Sequence, residues 1–449
     1  MNLLDALLAR IEQYAQHEWS ERDRLEAERC LLDYTGVALA GASVLEPKMK
    51  KYLENGQYHT GNCMIVNTGR KTDVYSAVLL NALCAHTLEL DDGHRYGMLH
   101  PGVTSISALL PLLEQGEVSP EGFLKSIAIG YEATIRLACM VQPEHKKRGF
   151  HATATCGTFG AAIAVSYARG YDRNRIKCAA SAALTSASGL LGMIDDDSEL
   201  KPYNCAQAAV NGLLAANTAL CGYRPPNDAL GGKRGFIMAL NGKIDQQKVQ
   251  KALEMTDCIG SIYRKMYASC RHTHPSVESA LHIREQHPDK VNDVQRVEIE
   301  TYDLAVYGHD QTEVGSVSAA KMSTPYSVAV ALLYGQAGFD AFTEELLADP
   351  KVHALAGRVT VQANDALSAL SPLKRAAIVK VFYSDGTVAQ ERVDYPKGEP
   401  ENPLSEMELR EKSAALMSFA GKGQSEIQEI ISSVKDFEKK SGLYLQNIM

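Results

Sequence analysis

The chain has 449 residues, of which 45% are hydrophobic and 22% charged, with a formal net charge of −8. That length accommodates two or three domains, and the balance is that of an ordinary globular protein, which excludes a disordered, collagenous or small disulfide-stapled chain. The acidic excess argues against broad nucleic-acid binding while leaving room for a local basic pocket, and no window reaches the roughly 18 uninterrupted apolar residues of a membrane helix.

At the N-terminus, Leu3, Leu4, Leu7, Leu8 and Ile11 recur at helical spacing with Asp5, Arg10 and Glu12 among them. The segment lacks a basic start followed by an apolar core, so it predicts a helix of the mature protein and a cytoplasmic location. Helical patterns continue over 21–40, 75–90, 119–141, 157–168 and 206–220. Several are rich in Gly and Ala and nearly all apolar, the signature of helices buried among other helices. Ten cysteines are scattered from Cys30 to Cys270 with no CxxC and no close pair. They give neither a zinc nor an iron–sulfur pattern and read as small buried hydrophobes in a reduced interior.

Polar residues crowd at 88–102, Leu-Glu-Leu-Asp-Asp-Gly-His-Arg-Tyr-Gly-Met-Leu-His-Pro-Gly. Glu89, Asp91, Asp92, His94, Arg95 and His100 follow an apolar helix, and such groups are hard to bury unless they pair or serve a site. Asp91, Asp92, His94 and His100 form no standard ligand signature, so no metal is assigned. The basic run Lys146-Lys147-Arg148 reads as solvated surface, and so, locally, does Lys201 at the head of an Ala-rich helix. Around 265 the texture changes. Arg271, His272 and His274 lie at the inferred seam between domains, where ligand sites are common; histidine suits proton transfer and arginine binds carboxylates through paired hydrogen bonds.

The segment 294–306 begins as a strand, 321–333 and 341–347 look helical, and 375–395 is a hairpin turning at Ser384-Asp385-Gly386. Ser405 with Glu408 makes a capping box at the start of a helical tail. We therefore expect a mainly α protein with an α+β part: a large all-helical domain (1–264), a smaller α+β lid domain (265–402), and C-terminal helices (403–449) returning to the helical domain. The phosphate-cradling GxxxxGK[ST], the dinucleotide GxGxxG and the GxSxG elbow are all absent from the sequence.

Taken in order, six segments make the chain resemble the MmgE/PrpD family. They are His86–Asp92 with His100-Pro101-Gly102, Gly149–Ala162, Leu200-Lys201-Pro202, Cys270–His274, Lys321–Tyr326 and Pro396-Lys397-Gly398. The resemblance implies an active site between the helical domain and the lid, a homodimer, and cofactor-independent chemistry on a small di- or tricarboxylate. Known family activities are 2-methylcitrate dehydration, cis-aconitate decarboxylation and iminodisuccinate epimerisation. It also implies that His100 and His272 exchange protons, with Lys201 stabilising an enolate-like intermediate. Arg271 would clamp a carboxylate, with Asp91, His94, Arg95, His151 and Tyr326 as substrate-binding neighbours. Gly93 departs from the decarboxylase pattern, which has a threonine there, and the adjoining His94-Arg95 pair adds charge. A dehydratase of the 2-methylcitrate type is therefore the leading expectation, followed by an imino- or aminodicarboxylate epimerase, then a decarboxylase, then a protein that binds an organic acid without turnover.

Overall fold

The computed structural model describes residues 2–55 and 60–449. The first part is a stack of helices. Leu3–Gln16 buries Leu4, Leu7, Leu8 and Ile11, the stripe its spacing predicts. Glu21–Asn55 runs for 35 residues, well past the expected 40 and through Pro47. Val74–Thr87, Pro101–Glu114, Pro120–Val141, Ala152–Ala168, Arg173–Ser186 and Lys201–Thr218 complete the stack. Small residues set the spacing: a Cβ at Gly41 would strike the Cys84 carbonyl, and one at Gly160 the Thr134 hydroxyl.

Two of these helices begin earlier than their periodicity suggests. Ala152–Ala168 starts five residues before the apolar run at 157, and Lys201–Thr218 five before Ala206. Proline is tolerated in a first helical turn, which is how Lys201-Pro202 joins the helix. The early starts carry His151 and Lys201 to helix N-termini.

From residue 294 a four-stranded sheet forms. Its strands are β1 (Val294–Thr301), β2 (Val359–Ala363), β3 (Ala377–Tyr383) and β4 (Val388–Val393). Their spatial order is β2-β1-β3-β4. β1 pairs parallel with β2 (Val297 opposite Val359) and antiparallel with β3 (Ile299 opposite Val379). The β3–β4 hairpin turns where Gly386 takes φ +84°, a conformation glycine adopts without strain. Ala377, Val379, Val381 and Tyr383 are buried in strict alternation, and the strand packs against His274–Gln286. The strand expected over 294–306 stops at Thr301 and yields to a four-residue helix, Asp303–Val306. The helix expected over 341–347 is only a turn at Phe339–Ala341 followed by Glu344–Leu347, because the Thr343 hydroxyl accepts from the Leu346 N–H and starts a new helix there.

Glu406–Phe419, Gln424–Lys435 and Phe437–Ile448 close the chain. The Ser405–Glu408 capping box forms. Glu406–Phe419 lies on the long second helix, where buried Lys412 donates to Asp33 at 2.6 Å and to the Leu90 carbonyl at 2.9 Å. No helix among the described residues is long and apolar enough to cross a membrane.

Candidate active site

Four helix N-termini meet at one small cavity. His100 precedes Pro101–Glu114, His151 precedes Ala152–Ala168, Lys201 opens Lys201–Thr218, and Arg271 and His272 lie just ahead of His274–Gln286. All five side chains line the cavity, with Glu89, Lys146, Cys270, His309 and Arg375. A helix N-terminus presents unpaired N–H groups and the positive end of the dipole, so their convergence favours an anion.

Glu89 organises the helical side. Its carboxylate takes the Lys201 ammonium on one oxygen and the fully buried Lys265 ammonium on the other, at 2.9 Å. Burial alone would raise its pKa, but the two ammonium groups, with His86 and His100 nearby, hold it well below the carboxylate range. Glu89 and Met98, both on the cavity wall, have φ of +52° and +51°. Left-handed backbone at non-glycine residues costs roughly 1–3 kcal/mol each and gathers at functional sites.

His86 Nδ1 lies 2.8 Å from Asp91. Burial disfavours its cation, yet Asp91 and Glu89 outweigh that and raise its pKa to about 10. His100 behaves oppositely. Its Nδ1 donates to the Asp92 carbonyl at 2.5 Å, and burial, despite the pull of Asp91, takes it down to about 3. The ring is therefore neutral, with Nε2 as an acceptor beside Glu89 at 3.9 Å. Asp92 is itself fixed by the Tyr131 hydroxyl and by the Gly102 N–H, so the loop and the helix start are one hydrogen-bonded unit. His86, Glu89 and His100 bring donor atoms within 4.8 Å of one another, a spacing suited to a metal. Two ammonium groups already compensate the Glu89 charge, while His86 Nε2 is buried with no hydrogen-bond partner among the described residues.

On the sheet-bearing side, His272 Nδ1 meets the Tyr302 hydroxyl at 2.6 Å and Nε2 meets Lys146 Nζ at 2.8 Å. The stretch around Lys146 is therefore not simply solvated surface: burial, with Arg375 and Lys201 nearby, lowers that ammonium to about 8. Arg375 is 2% exposed, gives one N–H to the Arg95 carbonyl, and makes no ion pair with a carboxylate of the described residues.

Several expected site residues lie elsewhere. Arg271 reaches the cavity wall, but its guanidinium is consumed by Glu399, His274 and the Pro396 and Lys397 carbonyls. Arg95 is outside the cavity, bound to Glu399 and bidentate to Glu401, at 3.0 and 2.6 Å. His94 is also outside, accepting from the Gly97 N–H and lowered to about 3 by burial. Tyr326 is in the second core, its hydroxyl 3.4 Å from the Ala341 carbonyl. Asp91 stands one layer back, behind His86 and His100. In each case a nearer protein partner takes the charge or the hydroxyl. Lys146, Cys270, His309 and Arg375 are the additions. Cys270 opens the segment Cys270–His274 and Lys146 lies in the basic run just before Gly149–Ala162, so proximity to those segments was the signal for these two.

Residues 6–248 match the MmgE/PrpD N-terminal domain, and residues 267–436 match the MmgE/PrpD C-terminal domain. The chain belongs to the MmgE/PrpD family. Among its relatives are a cis-aconitate decarboxylase from Aspergillus terreus (strain NIH 2624 / FGSC A1156), 24% identical over 92% of this chain and 89% of that protein, and a second from Aspergillus terreus, 25% identical over 91% and 88%. The cis-aconitate decarboxylase of Mus musculus is 22% identical over 87% and 82%. Within this MmgE/PrpD chain, the family-like segments now have physical roles. Pro396-Lys397-Gly398 is the loop that Arg271 holds, and Lys321-Met322 supplies the carbonyls that fix Cys270 and His309.

Proposed function

We propose that this MmgE/PrpD enzyme is a lyase for a small di- or tricarboxylate, and in particular a dehydratase of the 2-methylcitrate type. The observation that carries this reading is His100, whose Nδ1 donates to the Asp92 carbonyl and leaves Nε2 as the accepting nitrogen, in a cavity shared with Lys201, Lys146 and Arg375. A carbon acid beside a carboxylate loses a proton only if the negative charge that develops is met by cations already in place. His100 Nε2 accepts the proton. Lys201, held against Glu89, and the Arg375 guanidinium receive the substrate carboxylates. Departure of a β-hydroxyl with a proton from the opposite wall completes dehydration.

A second reading is supported by the relatives, whose names are all cis-aconitate decarboxylase. Decarboxylation generates the same carbanion by loss of CO₂, and the same cations would stabilise it. It stands second because position 93 is glycine and its neighbourhood admits no side chain: a Cβ there would strike the Tyr263 hydroxyl. We further take the protein to be a cytoplasmic homodimer with the lid spanning 265–402.

Proton NMR of the purified protein in D₂O, with citrate, 2-methylcitrate, cis-aconitate and imino- or aminodicarboxylates, tests the proposal. Loss of an α-proton signal is the expected result, with a new vinyl signal from citrate or a methyl singlet on a C=C bond from 2-methylcitrate. CO₂ release from cis-aconitate would replace it with decarboxylation, and deuterium incorporation without a new compound would replace it with epimerisation.

A further inference from the structure

Proton chemistry on two sides of a substrate needs a second protic group facing His100. His272 is poorly placed to supply it, because both ring nitrogens are engaged, by Tyr302 at 2.6 Å and Lys146 at 2.8 Å. The remaining cavity-lining pair on that side is Cys270 and His309. His309 Nδ1 lies 2.8 Å from the Met322 carbonyl, which can only accept, so Nδ1 carries the hydrogen and Nε2 is the open end. That open end lies 3.7 Å from Cys270 Sγ. The Cys270 N–H donates to the Lys321 carbonyl at 2.9 Å, so one dipeptide, Lys321-Met322, fixes both partners. The His309 ring is further held by stacking on His272, with centroids 5.3 Å apart.

We propose that the Cys270–His309 pair is the catalytic unit that delivers a proton to the bound acid from the sheet-bearing side while His100 removes one from the helical side. The inference rests on the polycarboxylate reading above. In dehydration, His100 takes the C–H proton and the C–H electron pair forms the C=C bond. The C–O bond breaks toward oxygen, and the single proton shared by Cys270 and His309 passes to the departing hydroxyl to give water. The pair is left as thiolate and neutral imidazole, and His100 as imidazolium, until solvent returns the proton. In epimerisation the same proton goes to carbon instead.

The electrostatics set this thiol apart from the other buried cysteines. Burial pushes the thiols of Cys30, Cys84, Cys139 and Cys156 up to about 12. Burial acts on Cys270 too, but His309 and then Lys201 overcome it, against Glu89, and bring it down to about 6. Arg375, almost fully buried on the same wall without a carboxylate partner, marks the cavity as an anion site independently of the thiol.

The test combines labelling with kinetics. Iodoacetate, an anion that loses iodide as the C–S bond forms, should alkylate Cys270 about tenfold faster than neutral iodoacetamide, because the cavity cations concentrate it. Tricarballylate should protect, and His309→Gln should slow labelling by a similar factor. Cys270→Ala should lower kcat about 100-fold with little change in KM, and Cys270→Ser should recover part of the loss. Labelling of Cys270 no faster than that of exposed Cys221, or a Cys270→Ala enzyme within roughly threefold of wild-type kcat, overturns the proposal. Fast, selective labelling that tricarballylate does not slow retains the ionised pair and overturns the polycarboxylate reading instead.

Discussion

Lys146 Nζ lies 2.8 Å from His272 Nε2, so the imidazole accepts and the ammonium is held at the cavity wall. With Tyr302 on its other nitrogen, His272 presents no free ring nitrogen to the cavity. Because burial lowers this ammonium to about 8, the charge is present below that pH and lost above it. We expect kcat/KM for the acid substrate to fall as pH rises through about 8. Lys146→Arg, whose guanidinium stays protonated, should keep activity at pH values where wild type loses it. Initial rates measured from pH 6 to 10 for both proteins check this.

His100→Gln keeps the size and hydrogen-bonding of the side chain but cannot accept a proton at Nε2. Turnover should fall by about 10²–10⁴ with binding of a substrate analogue preserved. Rapid-quench rates, with isothermal titration of tricarballylate, separate the two effects.

Arg375 and Arg271 should respond differently although both line the cavity. Arg375→Ala is expected to weaken acid binding by roughly ten- to a hundredfold, the equivalent of losing about 1.5–3 kcal/mol of charge-assisted hydrogen bonding. Its melting temperature should stay close to wild type. Arg271→Ala strands buried Glu399 with Arg95 alone and releases the Pro396 and Lys397 carbonyls, a loss on the order of 3–5 kcal/mol in stability. Thermal melts and KM values on the two variants decide this.

Gly93 is pinned between the Tyr263 ring and the Leu99 carbonyl, and its N–H donates to the Tyr263 carbonyl at 2.9 Å. Gly93→Thr should destabilise by about 1–3 kcal/mol through overpacking and should not increase CO₂ release from cis-aconitate. Denaturant melts and a CO₂ assay report on each half of that statement.

His86 makes a pH-dependent contribution to stability. Folding raises its pKa from 6.5 to about 10, so its stabilisation is complete below 6.5 and declines as pH rises toward 10. The melting-temperature difference between wild type and His86→Gln should therefore be largest near pH 6 and shrink by pH 10, as read by calorimetry at several pH values.

How far the sequence could lead is visible residue by residue. The Leu4/Leu7/Leu8/Ile11 stripe, the Asp385-Gly386 hairpin and the Ser405–Glu408 box are set by local chemistry, and each forms where its pattern places it. His100, Lys201 and His272 were readable from motifs, and the structure brings all three to one cavity. Competition among partners was not readable. Arg271 and Arg375 are equally basic in sequence, but Glu399, some 128 positions from Arg271, decides which guanidinium is spent on the fold. Lys146 and the Cys270–His309 pair depend likewise on contacts between distant segments, which periodicity does not encode.

The close approach of helices at Gly41 and Gly160 bears on how this enzyme could change over evolution. Enlarging either residue would push whole helices apart, and His100, His151 and Lys201 ride on the ends of helices in that same stack. The floor of the site is in this sense a rigid casting: its chemistry and its packing cannot drift separately. New substrates are more readily accommodated from the other wall, where Cys270, His309 and Arg375 sit in loops or at a strand's edge and can be exchanged one at a time. Divergence in specificity should accordingly accumulate after residue 265, while the helical half retains its glycines.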